Sequence, residues 1–184
     1  MHIFADEECR RLIKAGQQLQ EERELAQRGN RKAVLMEWEL LTRTALCTGM
    51  RCGELLNTIW PDVDFDAATV DVAPKIDSQH TWEWHIKDAD RRTLPLTEDV
   101  LTLPAEQQTR VSEGCPYVFV PMSRYSHIQK LRNDGKWTVE KGRCHANNFT
   151  RQFNAIEKMA SVEHREFHDL RADLPDELAE RWSQ

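Results

Sequence analysis

No stretch of this 184-residue chain is apolar for long enough to span a bilayer, and no basic-then-apolar leader opens it, so the expectation is a soluble, cytoplasmic protein. No C-x-x-C pair occurs among the cysteines at 9, 47, 52, 115 and 144, and their number is odd. That argues against a zinc ribbon and a disulfide framework and for free thiols in a reducing compartment. Net positive charge is also missing: the formal balance is −6, which argues against indiscriminate coating of nucleic acid. Internal repeats and low-complexity segments are absent. What is present, 40% hydrophobic and 30% charged residues, suffices for one domain with a sizeable core.

The chain is organised around Thr44-Ala45-Leu46-Cys47-Thr48-Gly49-Met50-Arg51-Cys52-Gly53-Glu54-Leu55-Leu56. An apolar helical run stops at Gly49, the residue type that tolerates a left-handed helix end, and a short helix over 51–58 follows. Arg51 is thereby placed at a helix start, where backbone N–H groups and a guanidinium both suit a phosphate or carboxylate oxygen. Glu54, three residues on, is placed to hold that arginine in one orientation. A purely structural ion pair at a helix junction is the alternative.

Around this stretch the spacing predicts a surface helix over 5–28, carrying Leu12, Ile13, Leu19 and Leu25, and a core helix over 31–48 with Val34, Trp38, Leu41 and Ala45 on one stripe. After Pro61 the pattern changes to alternation. Asp62–Asp66 leads through a turn at Ala67-Ala68 to Thr69–Val72, Thr81–Lys87 alternates again, and Arg91–Leu96 reads as a return strand after Asp88-Ala89-Asp90, giving a small antiparallel sheet of about three strands. Lys87 falls at the hairpin tip, where an ordinary surface lysine is the plain alternative. Thr97-Glu98-Asp99 starts another helix that Pro104 shortens, Tyr117–Pro121 is a short apolar extended segment, and 122–143 reads as loop. A helix over Cys144–Met159 turns Phe149, Phe153 and Ile156 inward, and His168-Asp169-Leu170-Arg171 supplies a second arginine motif. The fold class expected is α+β, mostly helical. Residues 124–151 carry Arg124, Lys130, Arg132, Lys136, Lys141, Arg143 and Arg151 against Asp134 and Glu140, an excess of five positive charges that suits either a solvated loop or a phosphate-facing surface.

In this order and spacing, four motifs make the sequence resemble the catalytic domain of tyrosine site-specific recombinases, the phage integrase family. They are Thr48–Leu55 around Arg51, Ile59-Trp60-Pro61-Asp62-Val63-Asp64, His85-Ile86-Lys87 before Arg91-Arg92-Thr93-Leu94-Pro95-Leu96, and His168-Asp169-Leu170-Arg171. Phe4–Glu8 is similar to the family's entry into this domain. The resemblance implies DNA breakage and rejoining through a phosphotyrosine, with no metal and no cofactor, on double-stranded DNA and as an oligomer on it. It implies that Arg51 and Arg171 hold the scissile phosphate, that Lys87 protonates the departing sugar oxygen and that His168 assists proton transfer, Glu54 supporting. Preorganised guanidiniums can stabilise the charge that builds on the phosphoryl oxygens. Arg91, Arg92, Arg124, Lys130, Arg132, Lys136, Lys141 and Arg143 are the candidate DNA contacts.

The sequence departs from the family at one point that matters. The family's nucleophilic tyrosine lies well beyond H-x-x-R, whereas the only tyrosines here, Tyr117 and Tyr125, precede His168. The expectation is a single integrase-type domain over 1–184, incomplete at its C-terminus, without the family's N-terminal DNA-clamping domain and unable to complete strand cleavage alone. A DNA-binding remnant or regulatory module is the competing reading. A zinc site at His164 and His168, four apart, is a weaker one, because Glu166 is misplaced for H-E-x-x-H and no third ligand is indicated. The alternation of Trp82 and Trp84 suits base stacking, but two tryptophans two apart lie on one strand face, and core packing or a partner contact is favoured.

Overall fold

The computed structural model describes residues 4–27, 36–86, 91–98, 100–102 and 114–170. Helix α1 (Asp6–Gln27) opens with three acids, Asp6, Glu7 and Glu8, which suit the positive end of a helix, and Glu8 accepts the Ala5 N–H at 2.7 Å. Its buried face is Cys9, Leu12, Ile13, Ala15 and Leu19. A Cβ on Gly16 would lie 3.1 Å from the Trp38 Cβ, so the glycine permits the close approach of α1 to the next helix.

Helix α2 (Trp38–Thr48) buries Trp38, Leu40, Leu41, Thr42, Thr44, Ala45 and Leu46, more than one face, because it lies between other elements. The buried hydroxyl of Thr44 and the half-buried one of Thr48 donate to the carbonyls of Leu40 (2.7 Å) and Thr44 (2.6 Å). The predicted helix over 31–48 is shorter on its described side: Met36 and Glu37 are not helical, and residues 31–35, with them Val34, lie outside the described residues. Glu37 stands at φ −73°, ψ 80° and receives Gln20 Nε2 at 2.6 Å, a cross-link to α1 that sets where α2 begins. At the other end Gly49 adopts φ 63°, ψ 20° and its N–H closes on Ala45 O, the left-handed stop expected of it.

The short helix α3 (Cys52–Leu56) is followed by a 3-10 turn (Trp60–Asp62) and strands β1 (Val63–Asp64), β2 (Thr69–Val72) and β3 (Arg92–Pro95). They form one antiparallel sheet in the order β1-β2-β3, with Val63 opposite Val70 and Val72 opposite Arg92. Val70 and Val72 point into the core while Asp71 is exposed, and Pro95 sits on an edge strand, where a missing N–H is tolerated. The sheet thus has three strands, and β2 and β3 are two of the expected ones, but the third is not. Residues 81–86 make only a single bridge, Trp84 to Lys75, and β1 takes the third place. The reason is that Trp82 gives its backbone N–H to the Tyr117 hydroxyl (3.0 Å) and its indole N–H to Asn57 (2.8 Å), so that segment is anchored by side chains. Residues 100–102 are helical after Thr97, as predicted, and 103–113 lie outside the described residues.

Residues 122–143 are not a loop. Helix α4 (Met122–Asn133) and the first turn of helix α5 (Val139–Ala160) occupy most of that range. Helix α4 buries only Tyr125 and Ile128 among charges and amides, too narrow a stripe to stand out as periodicity. On α5, Phe149, Phe153 and Ile156 are buried as expected. The Phe149 and Phe153 rings lie 5.0 and 6.2 Å from Trp38, and Phe167 meets both edge-on at 4.8 and 5.1 Å. This is the main core. A second cluster gathers Trp82, Cys115, Tyr117, Val120, Tyr125 and Ile128 beneath α4.

Candidate functional site

Helix α3 is held at both ends. At its exit the Asn57 amide donates to Gly53 O (2.7 Å) and accepts from Trp82, while Val118 N–H bonds Thr58 O at 3.0 Å and Trp60 N–H bonds Pro116 O at 2.9 Å. The bridge between Ile59 and Tyr117 adds to this. The helix therefore cannot slide along its axis without breaking contacts to two other segments.

At its start Arg51 is the N-cap, with extended φ −69°, ψ 151°. Its backbone N–H donates to Glu54 Oε2 at 2.7 Å and its Nη1 approaches Glu54 Oε1 at 3.4 Å. Arg92, from β3, donates Nη2 to the same Oε2 at 2.7 Å. One carboxylate, 2% exposed, thus serves two guanidiniums that are 35% and 25% exposed. Burial pushes the Glu54 carboxyl up, but the Arg92 hydrogen bond, the Arg51 N–H and the two arginine charges outweigh it and leave the group below its ordinary value. Glu54 takes the Arg51 N–H, and α3 is only five residues long, so attraction for an anion rests here on guanidinium charge rather than on the helix end. The neighbouring Cys52 thiol is pushed up to about 12 by burial, which keeps it a thiol and an unreactive one.

His168 lies on a second 3-10 turn (Phe167–Leu170) whose apolar residues Phe167 and Leu170 are buried, leaving the imidazole 57% exposed. Its Nδ1 is 2.9 Å from Glu166 and its Nε2 is 3.5 Å from Asp169. The preceding connection is clamped to α1. Arg11 donates to the carbonyls of Ala160 (3.2 Å) and Ser161 (3.0 Å), and Arg165 binds Glu8 at 2.8 Å while lying over the Phe4 ring. The buried Glu157 accepts the Arg165 backbone N–H at 2.8 Å and meets His164 Nδ1 at 2.7 Å. Residues 162–166 are not helical, so His164 and His168 do not share a helix face, which removes the premise of a zinc pair. Among the described residues no three His, Cys, Asp or Glu side chains are grouped to hold a metal.

The structure brings Arg51, Glu54 and Arg92 together and places His168 on a separate, well-supported turn. Lys87 and Arg171 lie outside the described residues, and the side chains of Lys141 and Arg143 on α5 do too. On α4, Lys130 is exposed and Arg124 partly so, while Arg132 is turned inward to Asp77 (2.8 Å), Ser78 O and Gln129 (2.8 Å), fastening the 77–80 loop. Lys136 pairs with Asp134 at 3.4 Å, and Arg91 is exposed. Both tyrosines are buried. Tyr117 stacks on Trp82 at 3.9 Å and burial pushes its hydroxyl up, while Tyr125 donates to His80 O at 3.0 Å. Trp82 is core, one of the two readings favoured over base stacking. Sequence reading missed the Lys75–Asp62 pair (2.9 Å, 6% and 11% exposed) and the clamp from Glu8 to Arg165, 157 residues apart, because nothing local signals either partner.

Fold and site together describe a mostly helical domain that presents cationic side chains from helix starts and a small sheet. The chain belongs to the phage integrase family, whose pattern it matches over residues 9–182, a family of recombinases that break and rejoin DNA. Its fold is similar to that in the crystal structure of XerA recombinase, with a TM-score of 0.57 at 16% identity, covering 93% of this chain. The chain spans 47% of that protein. No curated protein matches the sequence. No helix among the described residues is long and apolar enough to cross a membrane.

Proposed function

We propose that this chain is the phosphate-handling part of a tyrosine recombinase, binding double-stranded DNA at a site where strands are broken and rejoined. The observation that carries the reading is Arg51, fixed at the start of α3 by a buried carboxylate, in a chain of the integrase family. Arg51 and Arg171 take the phosphoryl oxygens, whose negative charge grows in the transition state, and their permanent charge needs no proton transfer to act. Lys87 protonates the departing sugar oxygen, and His168, exposed on its turn, assists. Arg91, Arg124, Lys130, Lys136, Lys141 and Arg143 supply contacts to the backbone. Neither buried tyrosine can serve as nucleophile without dismantling the second core cluster, so neither is assigned that role. Their burial equally suits the second reading, a DNA-binding regulatory module, in which only the clamp is used.

The test is equilibrium binding of a labelled DNA duplex over a range of salt. Arg51→Ala and Arg171→Ala are each expected to weaken binding about tenfold, about 1.4 kcal/mol, with the folded state retained. A duplex affinity that neither salt nor these substitutions alter would overturn the proposal.

A further inference from the structure

We infer that Arg92 is a positioning residue, acting on Arg51 through the Glu54 carboxylate they share, rather than a contact to DNA. The inference rests on the reading that Arg51 faces a phosphate. Arg92 occupies β3 opposite Val72, 38 residues from Glu54 in sequence, and its guanidinium lies 2.7 Å from a carboxylate that is almost wholly shielded from water. The Arg51 guanidinium makes the weaker approach, 3.4 Å to the other oxygen, although the Arg51 backbone N–H holds Oε2 at 2.7 Å.

That division has a consequence. A buried carboxylate competes with any incoming phosphate for the nearest cation, and the competition strengthens as water is excluded. With Arg92 taking the short, charge-assisted bond, the Glu54 charge is shared and its pull on Arg51 is weaker. Glu54 then orients Arg51 without cancelling it. Removing Arg92 leaves the whole carboxylate charge on Arg51. The Glu54 carboxyl, now held down by one arginine instead of two, should also titrate at a higher pH.

The experiment compares Arg92→Gln, Arg92→Lys and the double variant Arg92→Gln/Glu54→Gln, with two readouts: affinity for a labelled DNA duplex, and the titration of the Glu54 side-chain carbon followed by NMR. Arg92→Gln should weaken duplex binding about tenfold and raise the Glu54 titration. Adding Glu54→Gln removes the competing charge, while its amide oxygen still accepts the Arg51 N–H, and should recover most of the lost affinity. A direct contact from Arg92 to DNA predicts no such recovery, and that result would overturn the inference. Arg92→Lys keeps the charge and should stay within about threefold of the parent, which provides the check if the glutamine variant does not fold; a tenfold loss there counts against. If the parent binds no duplex at all, the phosphate reading of the site fails, and the NMR titration still decides this one: a Glu54 titration that Arg92→Gln leaves in place, or that Arg92→Lys raises as much as Arg92→Gln does, overturns the coupling, and a rise with glutamine alone supports it.

Discussion

Glu54 and Asp62 perform the same local task, yet their surroundings shift the two carboxyls in opposite directions. Each lies three residues beyond the residue that starts its helical turn and accepts that residue's backbone N–H, Glu54 from Arg51 at 2.7 Å and Asp62 from Ile59 at 2.8 Å. Each then faces cations brought from elsewhere in the chain. Glu54 meets two guanidiniums that keep 35% and 25% of their side-chain surface in water, whereas Asp62 meets Lys75, 6% exposed, whose ammonium is also held by Ala73 O at 2.7 Å. For Asp62 burial pushes the carboxyl up and wins over the Ile59 N–H and the lysine; for Glu54 burial loses to two arginines and the Arg51 N–H. One pair closes on itself inside the protein. The other leaves cationic surface facing outward, which is the arrangement an anion can use.

The sharpest way to break this comparison is Lys75→Met, which strands Asp62 and should lower stability by about 3–5 kcal/mol in urea unfolding. Combining it with Asp62→Asn should restore most of that, since the cost is the unpaired charge rather than the lost bridge. Glu54→Ala comes next, at about 2–3 kcal/mol, because it removes a charged acceptor from two arginines at once. Arg51→Ala should cost the least, about 1 kcal/mol or below, since its guanidinium is a third exposed and its contact to Glu54 is long. A stability loss from Arg51→Ala equal to that from Lys75→Met would show that both pairs are structural.

The two acids should also part company in pH dependence. Glu54 has a depressed folded value, so the stability it contributes is present above its ordinary 4.5 and is lost as pH falls below that. Asp62 has a raised folded value, so its contribution favours the folded state at low pH and is lost as pH rises from 3.8 through that value. Urea midpoints of Glu54→Gln and Asp62→Asn, each subtracted from the parent across acid pH, should therefore change in opposite directions. Curves of the same slope would contradict the assignment.

Much of this was legible in the residues. The extent of α1, the buried stripe from Trp38 to Ala45, the left-handed stop at Gly49, the Arg51–Glu54 pair and the inward Phe149, Phe153 and Ile156 follow from spacing within a few turns. Helix α4 was not legible, because two buried side chains in twelve residues make too weak a stripe. The alternation around Trp82 and Trp84 misled for a related reason. Trp82 belongs to the second cluster and Trp84 packs against the first, so the period of two does not describe one sheet face.

The amino-acid sequence by itself determined the extent of α1, the left-handed stop of α2, the family and an arginine poised at a junction, since each depends on residues within reach of one another along the backbone or on motif order. Only the tertiary structure decided which cations share which carboxylate. The register of β3 against β2 and the seating of α3 bring Arg92 to Glu54 and leave Lys75 with Asp62. A charge's surroundings depend on groups tens of residues away and on how much water they exclude, and no local pattern encodes either.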